Sequence, residues 1–212
     1  GLLFSKKWYE TEQKKQQLEI KNSEMKLEIL RNQISPHFLM NTLNNIYSLA
    51  GNDTPKAKEA IMKLSKLMRY MLYENQSGKV KLSKEFEFIQ SYVDLMKLRF
   101  SNERNITISF PENYDDLQIP SLLFISFIEN AFKYGASYEN DFFIHINFET
   151  KEDMLCFSCF NSINPQVNTI EKGGLGLKNT QNRLNLLFGK KHQFQIMSNS
   201  KNFEVKLEIP LC

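Results

Sequence analysis

Apolar residues at the start of the chain recur every seven positions: Ile20, Leu27 and Ile34 in one register, Leu18 and Met25 in another. The surrounding residues are mostly Lys, Glu and Gln. A seven-residue seam in such a segment predicts a parallel two-chain coiled coil, since a lone helix would leave the seam in water. Beyond Pro36 the spacing changes, and Leu39, Leu43, Ile46 and Ala50 follow the i, i+4, i+7, i+11 rule for one apolar helix face. The two stretches read as one long helix from Trp8 to Ala50, interrupted at Pro36, where the missing N–H costs roughly 3 kcal/mol and marks a kink. His37, Asn41, Asn44 and Ser48 form a polar stripe at helical spacing, turned away from the apolar seam.

Gly51-Asn52-Asp53 reads as a turn, after which Thr54 is an N-cap with Pro55 at the first helical position. The next helix, Pro55 to Glu74, carries Ile61, Leu64, Met68 and Met71 on one face. Two amphipathic helices joined by a tight turn make a hairpin, and two hairpins make a four-helix bundle. The polar run from Gln76 to Lys79 divides the chain into helices over 1–77 and a second domain over 78–212.

In that second domain Ser83 can cap a helix to Phe100 with Phe86, Ile89, Val93 and Met96 as its stripe. Asn105 to Phe110 alternates like a strand. Pro120 to Tyr134 reads as a nearly all-apolar helix stopped by Gly135. Asp141 to Thr150 and Asp153 to Phe160 should pair as a hairpin. Asn161 to Lys172 is a loop, Gly176 to Phe188 a helix ended by Gly189, and 194–197 and 203–209 closing strands. The fold class is therefore α+β: a helical hairpin followed by an α/β sandwich with helices on one sheet face.

Composition changes this picture little. The chain has 212 residues, 42% hydrophobic and 24% charged, enough to bury a core. A net charge of +3 without a basic patch interleaved with aromatics gives no reason to expect direct nucleic acid binding. Cys156 and Cys159 have CxxC spacing, but residues three apart in a strand point to opposite faces, which argues against a shared metal. With Cys212 they read as reduced thiols. His145 and His192 lack partners at metal-ligand spacing.

Two stretches carry the chemistry. In Leu122 to Gly135, Ser126, Asn130 and Lys133 share one face with Glu129 beside it, a polar stripe on an apolar helix. Buried polar groups need partners, so the stripe either pairs internally, Glu129 with Lys133, or lines a ligand pocket. The second stretch is Lys172-Gly173-Gly174-Leu175-Gly176-Leu177-Lys178-Asn179. Glycines before a helix start let backbone N–H groups approach an anion. A glycine-rich turn is weak alone, and this one has neither a P-loop nor a dinucleotide-binding pattern.

The run Gln33-Ile34-Ser35-Pro36-His37-Phe38-Leu39-Met40-Asn41-Thr42-Leu43-Asn44 resembles the phosphoacceptor segment of LytS-type sensor histidine kinases, with Ser35 in place of Asn and Met40 in place of Phe. Glu129-Asn130-Ala131-Phe132-Lys133-Tyr134-Gly135 resembles the N-box of the GHKL (Bergerat) ATP-binding fold. The glycine stretch with Asn179, Arg183 and Leu184 resembles its G-box. The resemblance implies an ATP-dependent protein histidine kinase that phosphorylates His37, using ATP and Mg²⁺. Asn130 would be the metal ligand, and Lys133, Gly173, Gly174, Gly176, Asn179 and Arg183 would surround the nucleotide. Asn41 and Glu129 are candidates to orient or deprotonate the His37 ring. The family's adenine-binding Asp is missing: within Cys159-Phe160-Asn161-Ser162, either Phe160 or Asn161 takes its place. An Asn carbonyl accepts the same hydrogen bond without charge.

The resemblance further implies a homodimer, a response regulator as partner, and a place as the cytoplasmic portion of a bacterial membrane protein. The opening Gly1-Leu2-Leu3-Phe4-Ser5-Lys6-Lys7-Trp8 fits the cytoplasmic exit of a transmembrane helix. Two other readings stand beside the kinase: a dimeric signalling scaffold that no longer phosphorylates, and a GHKL ATPase, which leaves Pro36-His37 idle.

Overall fold

The computed structural model describes residues 36–74, 78–100, 105–136, 142–164 and 175–211. The heptad seam from Leu18 to Ile34, the opening residues, Gly173 and Gly174 lie outside these. The chain forms two compact units, 1–44 and 45–212; the domain boundary expected at 77/78 follows residues 75–77, which lie outside the description.

Of the first unit, the residues from Pro36 to Asn44 are described. They open helix α1 (Pro36–Asn52), which continues into the second unit. Phe38 and Thr42 are buried here, while His37, Met40, Leu43 and Asn44 are exposed. In the second unit Ile46 is buried and Tyr47, Ser48 and Ala50 are exposed. The buried line is thus not the expected Leu39, Leu43, Ile46, Ala50, with which it shares Ile46 alone. Apolar residues surround much of this helix, so spacing alone could not choose the face.

The helix runs through Gly51 and Asn52, which narrows the expected turn to Asp53 and moves the cap one residue back. Asp53, not Thr54, caps helix α2 (Thr54–Arg69), its Oδ1 accepting from the Lys56 N–H at 3.1 Å. Helix α2 buries Ala57, Ala60, Leu64 and Leu67, while Ile61 and Met68, expected inside, are exposed. Small residues let α2 close on its neighbour, a preference that counting large apolar side chains misses. Lys63 bridges to Asp94 on that neighbour and to Glu59 on its own helix, both at 2.7 Å. A π-helical turn, Tyr70–Glu74, follows α2 and buries Tyr70.

Strand β1 (Lys79–Lys81) pairs antiparallel with β3 (Gln118–Pro120). Between them come α3 (Leu82–Lys97) and β2 (Ile106–Ser109). The expected stripe Phe86, Ile89, Val93, Met96 is buried, together with Phe88, Tyr92 and Leu95. Ser83 is not the cap, however: its own N–H is taken by Asp116 Oδ1 at 2.9 Å.

The expected helix from Pro120 begins later, as α4 (Ile125–Gly135), because residues 121–124 form a turn with Leu122 at φ 55°. A left-handed leucine costs on the order of 1–3 kcal/mol and persists only where its surroundings hold it. They do. The fully buried carboxylate of Glu85 accepts from the N–H groups of Leu122 and Leu123 at 3.1 and 3.3 Å.

The remaining elements are β4 (Ile144–Lys151), β5 (Met154–Ser162), α5 (Leu175–Phe188), β6 (Gln193–Ser198) and β7 (Asn202–Pro210). They build a five-stranded sheet, β2-β4-β5-β7-β6, parallel at β2-β4 and antiparallel elsewhere, with the expected β4-β5 hairpin present and the two closing strands, β6 and β7, paired with each other. One face buries Ile144, Ile146, Phe148, Leu155, Phe157, Cys159, Val205, Leu207 and Ile209. Phe86 of α3 and Phe124 at the foot of α4 reach Phe148 with ring centroids 5.0 Å apart. Phe127 of α4 meets Phe157 at 5.8 Å. The helices lie on this aromatic face, as α+β layering requires.

Gly135 ends α4 where the helix meets β5. A Cβ there would lie 2.7 Å from Asn161 Nδ2 and 2.8 Å from the Ser162 carbonyl oxygen. It is close approach, not a left-handed turn, that requires glycine. Gly135→Ala should therefore destabilise the domain by about 1–3 kcal/mol through overpacking. The midpoint of urea unfolding should fall accordingly; an unchanged midpoint would contradict the packing described.

Candidate functional site

The polar stripe of α4 and the inward end of β5 meet at a cavity of about 290 Å³ lined by Asn130, Tyr134, Asn161, Ile163, Leu177, Ile196, Ser198 and Phe203. Pairing of Asn161 with Ile144 and Phe203 places it in the sheet interior, where it is almost wholly buried. Strand alternation sends Phe160 to the other side, where its ring packs on Phe143 at 4.9 Å. Of the two registers open in the sequence, the structure thus brings Asn161 to the cavity. A larger hollow of about 540 Å³, lined by Asn105, Phe143, Lys201 and Asn202 among others, is broadly open, and its amides are half-buried where Asn161 is almost wholly buried.

Residues that sequence reasoning passed over fix this geometry. Ser162 Oγ donates to the Gly135 carbonyl at 3.2 Å and accepts from the Phe143 N–H at 3.1 Å. Asn164 reaches the last turn of α4 twice, through its N–H to the Tyr134 carbonyl at 2.8 Å and Nδ2 to the Ala136 carbonyl at 3.0 Å. Helix ends leave carbonyls without partners, and the strand exit meets these. The signal was present as polar residues following the apolar strand, but their partners are nearly thirty positions away. Asn161 Nδ2 donates to the Ser162 carbonyl at 2.7 Å, so the amide offers its oxygen as an acceptor.

The other expected residues are distributed unevenly. Glu129 is half-buried with Oε1 lacking a hydrogen-bond partner, and burial raises its carboxyl from 4.5 to about 7. Lys133 is exposed, its ammonium 4.9 Å from the Tyr134 ring centroid. Asn179 is exposed on α5, and Gly176 lies in the first turn of that helix, one residue before cavity-lining Leu177. Arg183 is not among the cavity residues. Its guanidinium donates to the Ser121 and Leu122 carbonyls at 2.6 and 3.0 Å, holding the turn before α4. The structure thus gives Arg183 an anchoring task where the sequence suggested ligand contact. In the first unit, Asn41 Nδ2 lies 3.2 Å from Nδ1 and 3.1 Å from Nε2 of exposed His37, so the polar stripe does present its histidine outward beside an amide. Cys159 is buried, which pushes its thiol up to about 12, and Cys156 faces the opposite side, as strand alternation predicts.

The histidine kinase family model matches residues 25–104. The sensor protein LytS of Oceanobacillus iheyensis is 34% identical over 114 residues, 54% of this chain and 20% of that protein. The sensor histidine kinase/phosphatase LytS of Staphylococcus aureus is 28% identical over 199 residues, 85% of this chain and 33% of that protein. The chain spans a third or less of the length of these curated relatives. The histidine kinase domain of the Erythrobacter litoralis EL346 blue-light activated histidine kinase overlaps 88% of this chain and 94% of its own, at 13% identity and a TM-score of 0.47, too loose an overlap to argue from. By sequence the chain is similar to histidine kinases over residues 25–104, and to the LytS sensor proteins over the stretches given.

Glu129 gives the site a measurable signature. Because its folded carboxyl titrates near 7 and an unfolded one near 4.5, the fold favours the protonated form, and stability falls as pH rises between those values. Glu129→Gln removes the titration. The variant should match wild type near pH 4 and exceed it by roughly 3 kcal/mol above pH 7. Denaturant melts across that range check this, and a constant difference between the two proteins would contradict it.

Proposed function

We propose that this chain is the core of a sensor histidine kinase in a two-component system, which phosphorylates His37 from ATP and passes the phosphoryl group to an aspartate on a response regulator. The observation that carries the reading is the cavity that joins Asn130 and Asn161 among apolar side chains. A flat, uncharged heterocycle suits Tyr134, Ile163, Leu177, Ile196 and Phe203, and the Asn161 oxygen can accept from an exocyclic amine. Asn130 would supply the protein's ligand to Mg²⁺, an ion commonly held by few protein groups and by substrate phosphates. Bound there, the ion would supply positive charge against the phosphates. Lys133 and the N–H groups around Gly173, Gly174 and Gly176 would meet the phosphates, with Asn179 beside them.

Phosphoryl transfer asks for alignment and charge neutralisation more than covalent chemistry from the protein. A ring nitrogen of His37 forms the new N–P bond as the bond from the γ-phosphorus to the bridging oxygen breaks, leaving ADP. Asn41 orients the ring, and Glu129 is the candidate to take the ring proton. Exposed apolar residues on α1 (Leu43, Tyr47) and on α2 (Ile61, Met68) support a homodimer through the helices, since such surfaces on a monomer mark interaction sites. Among the described residues no helix is long and apolar enough to cross a membrane. Membrane attachment, through residues before this chain, is proposed from its LytS relatives.

With Mg·ATP the chain should acquire an acid-labile, base-stable phosphate, and His37→Gln should abolish it while leaving nucleotide affinity nearly intact. Labelling that survives in His37→Gln would overturn the acceptor. Asn130→Ala should weaken ATP binding in magnesium but change it little in EDTA. Asn161→Asp should keep or strengthen ATP binding, because charge-assisted hydrogen bonds are roughly twice as strong as neutral ones. Calorimetry that finds no ATP bound by the folded wild type or by Asn161→Asp would replace the kinase with the scaffold reading.

A further inference from the structure

Glu85 lies outside the cavity, yet every element that shapes the cavity's helical wall is tied to it. Its carboxylate is fully buried and accepts from the Tyr70 hydroxyl as well as from the N–H groups of Leu122 and Leu123. Arg183 stands near enough to interact with its charge, and donates to the carbonyls of Ser121 and Leu122. The turn at 121–124 is therefore gripped from both sides, its N–H groups by Glu85 and its carbonyls by Arg183. Helix α4, which carries Asn130, starts from that turn, and α5, which carries Arg183, also supplies Leu177 to the cavity. A second tie between these helices runs from Ser126 Oγ to Thr180 Oγ1 at 3.4 Å.

Tyr70 is what carries this network beyond the site. It is buried in the π-helical turn at the end of α2, its ring stacked on Phe88 of α3 at 4.6 Å, while Leu72 and Tyr73 in the same turn are exposed. π-Helical turns are rare and tend to occur where a helix serves a function. We propose that Glu85 is a positioning residue for the nucleotide cavity, and that its bond to Tyr70 couples the helical segment 70–74 to that cavity. The inference rests on reading the cavity as a nucleotide site. A displacement of Tyr70 then alters the acceptor that fixes Leu122 and Leu123, and through them the start of the Asn130 helix. Coupling of this kind is reciprocal: if segment 70–74 biases the site, a ligand in the site biases segment 70–74.

The test is hydrogen exchange of the chain with and without a non-hydrolysable Mg·ATP analogue, beside calorimetry of the same analogue. Binding should slow exchange at 70–74 by about fivefold or more in wild type. Tyr70→Phe keeps the ring on Phe88 and removes the hydroxyl; it should still bind the analogue but lose that response. Glu85→Gln turns an amide donor toward one of the two backbone donors, the Leu122 or the Leu123 N–H, and should weaken binding about tenfold. The analogue binding wild type with no change at 70–74 would overturn the coupling, as would a full response in Tyr70→Phe. Should Glu85→Gln fail to fold, the wild-type and Tyr70→Phe measurements still decide. No analogue binding to wild type would sink the nucleotide reading and this inference with it, an outcome that calorimetry separates from lost coupling.

Discussion

A carboxylate with no access to water must have its lone pairs met by the protein or give up its charge. Glu85 is in that position, and desolvation pushes its carboxyl upward while Tyr70, two backbone N–H groups and the Arg183 charge pull it down. The same balance acts on its partners. Burial pushes Arg183 below its ordinary value while Glu85 raises it, and Tyr70 is raised by burial first and by the Glu85 charge next. Glu85 and Arg183 hold opposite sides of the turn, Glu85 its N–H groups and Arg183 its carbonyls, while Tyr70 adds a second donor to the Glu85 oxygen that Leu122 also meets. This interdependence holds a leucine at φ 55°, and with it the point at which α4 leaves the β1-β3 ribbon.

From that start the rest of the site is a matter of register. Helix α4 packs through Phe127 and Phe132, of which Phe132 meets Tyr92 of α3 edge-on at 6.2 Å. That packing turns Ser126, Glu129 and Asn130 to its partly open side. The far end is fixed by Ser162 and Asn164 reaching the last carbonyls, which requires β5 to pass close, which in turn requires Gly135. A single strand exit thus closes the helix and delivers Asn161 to the cavity.

The pattern of the sequence made much of this legible. Alternation located β2, β4, β5 and β7, and helical spacing located the buried stripe of α3 and the outward polar stripe of His37, Asn41, Asn44 and Ser48. Where it misplaced things, the deciding contact was distant. Ser83 looked like a cap because Asp116, which binds its N–H, lies 33 positions away. The apolar run at 120–124 looked helical because the bonds that force a turn come from Glu85 and Arg183. On α2, Ala57 and Ala60 won the interior over Ile61 and Met68, because close approach of two helices favours small side chains over large ones. Resemblance to a motif carried Arg183 toward the ligand, while in the structure two of its N–H groups donate to the backbone of a turn.

The exchange of an acidic residue for Asn161 can be understood in the same terms. The position is almost wholly buried, and its Nδ2 lies 2.7 Å from where a Cβ on Gly135 would stand. A carboxylate there would lose its hydration and would face the Ser162 carbonyl oxygen, which now accepts from Asn161 Nδ2 at 2.7 Å. An amide avoids both costs: its nitrogen satisfies the carbonyl and its oxygen remains an acceptor. An amide therefore keeps an acceptor in the cavity without charge, while an acid there would give a ligand amine a stronger, charge-assisted bond at the cost of its own desolvation. Recognition of an adenine amine would then depend on one neutral hydrogen bond and on the apolar walls, so affinity should follow the shape of Tyr134, Ile163, Leu177 and Phe203 more than the electrostatics of the strand end.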